Sequence, residues 1–324
     1  MMNVIANYVP DFNGEKITIN GFEGYKQGDN IYFIMPKPNN EVIHVEQKII
    51  SDYFATNGFS NIARPIANQD GQLVTQVEEE DYIVCVGRVG NIAIRESHAK
   101  ALAEFHQTGA NYPYTPNYIS SYGQWKTLWQ NKVDTFESIY HQQIQERPVT
   151  RFQRLFIDTF PYVIGLSENA IQYLQETETD QRFNESDQGS ITFQRYMNQM
   201  KSEIIWSHEL TYDHPIRDVC EYIRPFFLED DYQSKSQIKT FLAEYEQFRS
   251  FSVFGWRLLY ARLLFPVHLF DLIEEGLSMN DDEQMYKKFK LTLEKQDNYE
   301  TKLKSLFKEM KINTKTWNIP VLDW

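Results

Sequence analysis

The spacing of the hydrophobic residues changes once along this chain, and that change constrains the fold more than any single motif does. Up to about residue 88 the apolar residues come in short runs or alternate with polar ones. Ile17 and Ile19 alternate with polar neighbours, Ile31–Met35 forms a second such run, and Gly21, Gly24 and Gly28 fall between them. Short apolar runs bounded by Gly and Asn predict strands. From Val42 to Asn57 the spacing is helical: Val42, Val45, Ile49, Tyr53 and Phe54 share one face, and Gly58 follows as a stop signal. Leu73–Gln76 and Tyr82–Val86 read as two more strands, joined by the acidic turn Glu78–Asp81. The expected order is strand, strand, helix, strand, strand. Beyond Gly87 the pattern is almost wholly helical.

In that second part, Ser97–Thr108 brings His98, Ala101, Leu102 and Phe105 together, and a connector rich in Tyr, Pro and Asn follows over Asn111–Tyr122. Helical patterns then run over 123–145, 151–160 and 166–176, with a polar stretch from Thr177 to Ser190. Ile191–Tyr212 reads as two short strands around a polar turn. From Pro215 to about Met310 the pattern is helical again, and Asn313–Trp324 is expected to be extended. The plan is α+β and two-lobed, with a small strand-rich lobe over residues 1–88 and a large helical lobe over 89–324. At about 150 residues per domain, 324 residues suit two such parts.

Composition narrows the function. The chain carries 45 acidic and 32 basic residues, a net charge of −13, so it repels nucleic-acid backbones and is not expected to bind them. Two cysteines, Cys85 and Cys220, make neither a disulfide framework nor a zinc site and fit a reducing compartment. The longest apolar stretch, Leu258–Phe270, is punctuated or flanked by Arg257, Arg262, His268 and Asp271, and falls short of the roughly 18 residues of a membrane span. The first residues lack the pattern of a secretory signal. The expectation is a soluble protein made in the cytoplasm.

Other groupings read as structural. His98 and His106, eight apart on one helix, lack the four-residue spacing usual for a metal pair and are read as packing. Arg257 and Arg262 lie among apolar residues and call for carboxylate partners, with Asp218 and Glu221 as candidates. Eight lysines between Tyr286 and Lys311 are interspersed with acids, as on a solvated amphipathic helix. Neither a G-x-S-x-G motif nor a cysteine nucleophile motif occurs.

Four segments carry a resemblance: TYDHPIRDVCEYIR (Thr211–Arg224), FGWRLLYARLLFP (Phe254–Pro266), FPYVIGLSENAIQYL (Phe160–Leu174) and ALAEFHQTG (Ala101–Gly109). In order and spacing they resemble the CotS-like spore-coat proteins, and among these the YutH branch. The resemblance covers essentially the whole chain. It implies the protein-kinase-like fold of the choline and aminoglycoside kinases, synthesis in the cytoplasm, deposition on the spore coat and coat proteins as partners. It also implies that Asp218, in the first turn of a helix opened by Pro215, is the acid that holds the catalytic loop, with Arg217 beside it at the helix start.

Phosphoryl transfer needs a cation on the phosphates, a carboxylate base and metal-binding oxygens. By the resemblance, Ile191–Asn198 matches the catalytic loop, with Phe193 where its His stands and Arg195 where its Asp stands. An arginine stays protonated and cannot be a base. Asn198 is the candidate for the metal-binding Asn. Trp206 falls on the metal-binding Asp, and Met35 on the phosphate-gripping Lys of the third strand. The first 90 residues carry 12 acids and 6 bases, a net of −6 and a poor start for a triphosphate cradle. The chain is therefore expected to be a pseudokinase with no cofactor. An active alternative, using ATP and magnesium, would need relocated groups: Lys37 or Lys48 on the phosphates, Glu46 as the lysine's partner, and Asn198, His208, Glu209 or Asp213 on the metal. A third possibility is a metal-independent nucleotide switch, with Arg195 meeting an anionic group.

Overall fold

The computed structural model describes residues 2–36, 41–89, 97–148, 150–279 and 281–321. The chain forms two units, Met1–Tyr122 with Gly189–Asp218, and Gly123–Gln188 with Val219–Trp324. This division runs elsewhere than the boundary expected after residue 88. The segments 97–122 and 189–218 pack with the strand-rich part, because they complete its sheet and supply the layer beside it.

The first unit opens with a one-turn helix, α1 (Met2–Ala6), and three antiparallel strands, β1 (Glu15–Ile19), β2 (Phe22–Gln27) and β3 (Asn30–Pro36). Asn20 and Gly21 join β1 to β2 with φ of 51° and 84°, the two positive values that a tight hairpin turn requires. Helix α2 (Glu41–Thr56) follows, then β4 (Ile62–Pro65), β5 (Val74–Val77) and β6 (Glu80–Gly87). Helix α3 (His98–Ala110) is capped by Ser97, whose side chain accepts the Lys100 N–H. The unit closes with β7 (Ser190–Phe193), β8 (Ile205–Trp206) and β9 (Leu210–Asp213).

Strand order in the main sheet is β1-β2-β3-β6-β4-β8, with β5 also on β6, beside β4. β4 and β8 pair in parallel, so a segment 143 residues downstream enters the sheet, as Ile62 opposite Ile205 records. The period of two sorts the side chains. Ile31, Phe33, Ile83 and Cys85 face one core with Ala63, Ile204 and Trp206, while Tyr32 and Val84 face another with Val4, Ile5 and Tyr8. β7 and β9 form a separate two-stranded ribbon.

Several elements here were not foreseen: α1, β2, β4 and a third strand between residues 190 and 213, where two were expected. Gly24 was read as a turn glycine, yet it lies inside β2 opposite Ile17. A Cβ there would sit 2.8 Å from the Phe33 ring, so the strand needs glycine for close packing rather than for bending. The face of α2 also differs from the expected one. Val42, Val45 and Ile49 are exposed, and His44, Gln47, Ile50, Ser51 and Phe54 are buried.

The second unit is helical: α4 (Trp125–Glu146), α5 (Arg151–Thr179), the body of α6 (Ile216–Leu228), α7 (Tyr232–Phe248), α8 (Val253–Leu264), α9 (Val267–Ser278), α10 (Asp282–Glu294) and α11 (Gln296–Glu309). Two expected helices are one: α5 runs unbroken through Pro161, held by the buried rings Phe156 and Phe160 before it and by Val163 and Leu166 after it. The lysine-rich helix is two, meeting at Lys295. Arg257 pairs with Asp180 rather than with the carboxylates expected, and Arg262 lies over the Trp125 ring. The tail is not extended: it turns back through Trp317 N–H to Asn313 O and Ile319 N–H to Thr314 O. Among the described residues, no helix is long and apolar enough to cross a membrane.

Candidate functional site

The ribbon β7–β9, the start of α6 and the end of α3 meet around Asp218. This carboxylate is fully buried and accepts the Phe193 N–H at 3.1 Å. His106, equally buried, places Nε2 2.9 Å from Asp218 Oδ2. The backbone of His106 is used as well, its carbonyl accepting the Ser190 hydroxyl at 2.7 Å. One carboxylate thus ties α3 and α6 to the loop that leaves β7. His98, on the same helix, turns to a different partner: its Nε2 lies 2.7 Å from the Tyr196 hydroxyl.

The helix start is equally specific. The His214 imidazole Nδ1 accepts the Ile216 N–H at 3.1 Å and so caps α6. Asp213 is buried and accepts from the His214 N–H, the Ser121 hydroxyl and Arg217 Nη1 at 2.6, 3.0 and 2.8 Å. Arg217 also donates to the Gln194 carbonyl at 2.7 Å, which fixes the loop from a second side.

The loop itself holds the residues matched to the catalytic positions. Phe193 is fully buried and stacks on Phe105, with ring centroids 4.9 Å apart. Arg195 is half-buried, and its carbonyl accepts the Gln199 side-chain amide at 2.7 Å. Asn198 is exposed, in the left-handed conformation at φ 68°, and caps nothing with its side chain.

Across from this loop, Trp206 is buried in the apolar face of the main sheet. Its indole lies 4.8 Å from the Phe33 ring, edge to face, and 4.6 Å from that of Phe22. Met35 packs against the same cluster. The two positions matched to the phosphate-gripping Lys and the metal-binding Asp therefore belong to one hydrophobic core. An indole and a thioether offer no hard oxygen ligand and no cation, so this donor set does not fit a magnesium–nucleotide.

Several of the groups that a relocated site would use are engaged elsewhere. Glu46 does not face β3. Its carboxylate accepts three consecutive backbone N–H groups, those of Asn117, Tyr118 and Ile119, at 2.7, 2.9 and 2.9 Å. Its neighbour Gln47 points inward instead, and its amide donates to the His208 carbonyl at 3.5 Å. Lys48 is paired with Asp52. Lys37 lies outside the described residues. His208 and Glu209 sit on a 3-10 turn (Ser207–Glu209) packed against α2. Burial holds the His208 imidazole below its usual pKa, with His44 adding to the shift. Burial pushes the Glu209 carboxyl up, against a bond from Gln199 that favours its charged form. Among the described residues, no group of three or more His, Cys, Asp or Glu is arranged to hold a metal ion.

His106, Gln47 and Phe22 had no assigned role in the sequence. The signal for His106 was present: it lies on the helix of the ALAEFHQTG segment, where a buried polar residue needs a partner. Gln47 was obscured by the apolar stripe beside it.

The pattern of the family described as "Spore coat putative kinase YutH" matches residues 11–306. The endospore coat-associated protein YutH of Bacillus subtilis (strain 168) is 32% identical over 305 residues, covering 92% of this chain and 90% of that protein. Among solved structures, an aminoglycoside phosphotransferase from Alicyclobacillus acidocaldarius superposes with a TM-score of 0.67 at 12% identity, over 96% of each chain. A microcompartment-associated aminopropanol kinase gives 0.56 at 10% identity, over 95% of this chain and 97% of its own.

Proposed function

The chain belongs to the YutH family of spore-coat proteins and has the fold of the aminoglycoside phosphotransferases, and from that premise we propose that it is a pseudokinase serving the spore coat as a structural or interaction protein. It is made in the cytoplasm and deposited on the coat, where its partners are other coat proteins. It takes no nucleotide or metal cofactor. The observation that carries this reading is the cluster of Trp206, Phe33 and Phe22 with Met35 against it. A working kinase needs polar groups at the Trp206 and Met35 positions, and here they contribute to a core. In support, Asp213 and Glu46, carboxylates that a relocated site would need, are engaged by protein donors. The polar groups around Asp218 and Arg217 serve the loop's position, so the fold keeps its framework without the chemistry.

Thermal unfolding of the purified chain tests this, with ATP alone and with ATP plus Mg²⁺ or Mn²⁺. Ligand at about 100 times its Kd would add about 2.7 kcal/mol. No shift is expected under any condition. A metal-dependent shift would overturn the pseudokinase reading in favour of a relocated kinase site, and a metal-independent one in favour of a nucleotide switch. A fluorescent fusion in a sporulating cell tests the coat role, which fails if the signal stays diffuse in the mother cell.

A further inference from the structure

On the opposite face of the sheet from Trp206, three neighbouring strands bring basic and polar side chains together. Arg64 of β4 lies opposite Val86 of β6, so the two point to the same face. Arg88 lies two residues beyond Val86 and falls on that face too. Asn30, at the start of β3, comes next to it: its side-chain carbonyl accepts Arg88 Nε–H at 3.1 Å. Arg64 and Arg88 are thus diagonal cross-strand neighbours of like charge, a pairing that repels and lies within reach for side chains of this length. Between them is a cavity of about 130 Å³, which Ser60 and Asn30 also line and whose apolar wall includes Ile62 and Val86.

The local charge is positive in a chain whose net charge is −13. The carboxylate that touches Arg64 is Asp52, at 3.6 Å, and Lys48 shares it. Each guanidinium is held through Nε, by Asn30 in one case and more loosely by Asp52 in the other. Two planar forks of donors thus line one cavity, that of Arg88 fixed by Asn30, an arrangement suited to the tetrahedral oxygens of an oxyanion. We propose that the pocket between Arg64 and Arg88 binds a small free oxyanion of the phosphate class. Such an ion would offset the repulsion between the two guanidiniums, and it would bind on the face of the sheet opposite the aromatic cluster. The inference does not depend on whether the chain is a pseudokinase.

Isothermal titration of the full chain with inorganic phosphate, at an ionic strength held constant with chloride, tests the site. Saturable binding is expected, weakened about ten-fold or more in Arg64→Gln and in Arg88→Gln. Arg88→Lys keeps the charge and loses the fork, so it should bind several-fold less tightly than the parent while folding normally. Arg154→Gln, in the other unit, should leave binding unchanged. The absence of saturable heat, or binding that survives the double substitution of Arg64 and Arg88 in a folded chain, overturns the proposal. So does tighter binding of a short phosphoserine peptide than of inorganic phosphate, because the anion would then arrive on a protein.

Discussion

Two regions of the first unit, both close to the loop after β7, have opposite characters. Around Asp218 the interior is polar and fully bonded, with His106 and the Phe193 N–H on one carboxylate. Around Trp206 it is apolar, with Phe22 and Phe33 packed against Trp206 and Met35, the two positions where the resemblance places polar groups. Burying a carboxylate is tolerable only when donors surround it. The first region has kept that expensive arrangement because it positions backbone. The second, on the pseudokinase reading proposed above, lacks the polar groups that a ligand would use. The difference teaches that holding a loop and using it are separable demands, met by different residues.

The largest test of this comparison removes the buried acid. Asp218→Ala leaves the His106 imidazole and the Phe193 N–H without their acceptor, and should cost about 4 kcal/mol in urea-induced unfolding. Asp218→Asn, which still accepts, should cost clearly less. A loss within experimental error for the alanine variant would break the claim that the polar region is structural. Trp206→Ala should follow closely, at about 3 kcal/mol, because it opens a cavity under the sheet. The double variant Trp206→Asp with Met35→Lys restores the residue types of a working kinase. It should be less stable than Trp206→Ala and still show no thermal shift with magnesium and ATP. A restored shift would mean that the apolar region retains a hidden nucleotide site.

Much of this architecture could be read beforehand, and the failures have physical causes. The strands β3 and β6 and the helices α3 and α4 followed from apolar spacing alone. The face of α2 did not, because periodicity counts apolar residues and cannot see what the helix packs against. The inner side of α2 meets the carbonyl of His208, so Gln47 is buried and Val45 is left outside. Pro161 read as a break, yet the rings around it hold α5 together. At the site, Asp218 and Arg217 were legible from the DHPIRD segment. His106 was read only as packing, because its partner lies 112 residues away in sequence.

Acidity gives a smaller contrast, between the buried imidazoles of the two units. His268, in the second unit, is held down to about 3 by burial and by the nearby charge of Arg224, with a bond from Gln296 opposing. The folded form stays neutral while the unfolded side chain titrates near 6.5. Below that pH the unfolded chain takes up the proton first. Stability therefore falls as pH drops from about 6.5 towards 3, by at most about 1.4 kcal/mol per unit. His268→Asn should flatten this acid limb in urea titrations, and the slope that remains should diminish further in His208→Asn, whose imidazole is depressed by burial in the first unit. An unchanged limb in both variants would assign the acid sensitivity to carboxylates.

The smallest effect lies at the edge of the apolar region. Glu78 and Glu79 turn β5 into β6 with φ of 53° and 67°, left-handed values that side chains other than Gly and Asn resist. The double variant Glu78→Asn, Glu79→Gly should stabilise the chain by about 1 kcal/mol. A destabilised variant would show that these acids serve something besides the turn.

The indole of Trp206 can also be regarded as a ligand that the chain carries with it. A nucleotide stabilises an ordinary kinase in proportion to its free concentration. A ring joined to the backbone one residue beyond β4's partner strand residue Ile205 has an effective concentration set by covalent geometry, beyond what solution can supply. On the reading proposed above, a domain plugged in this way would hold its folded state independently of nucleotide levels.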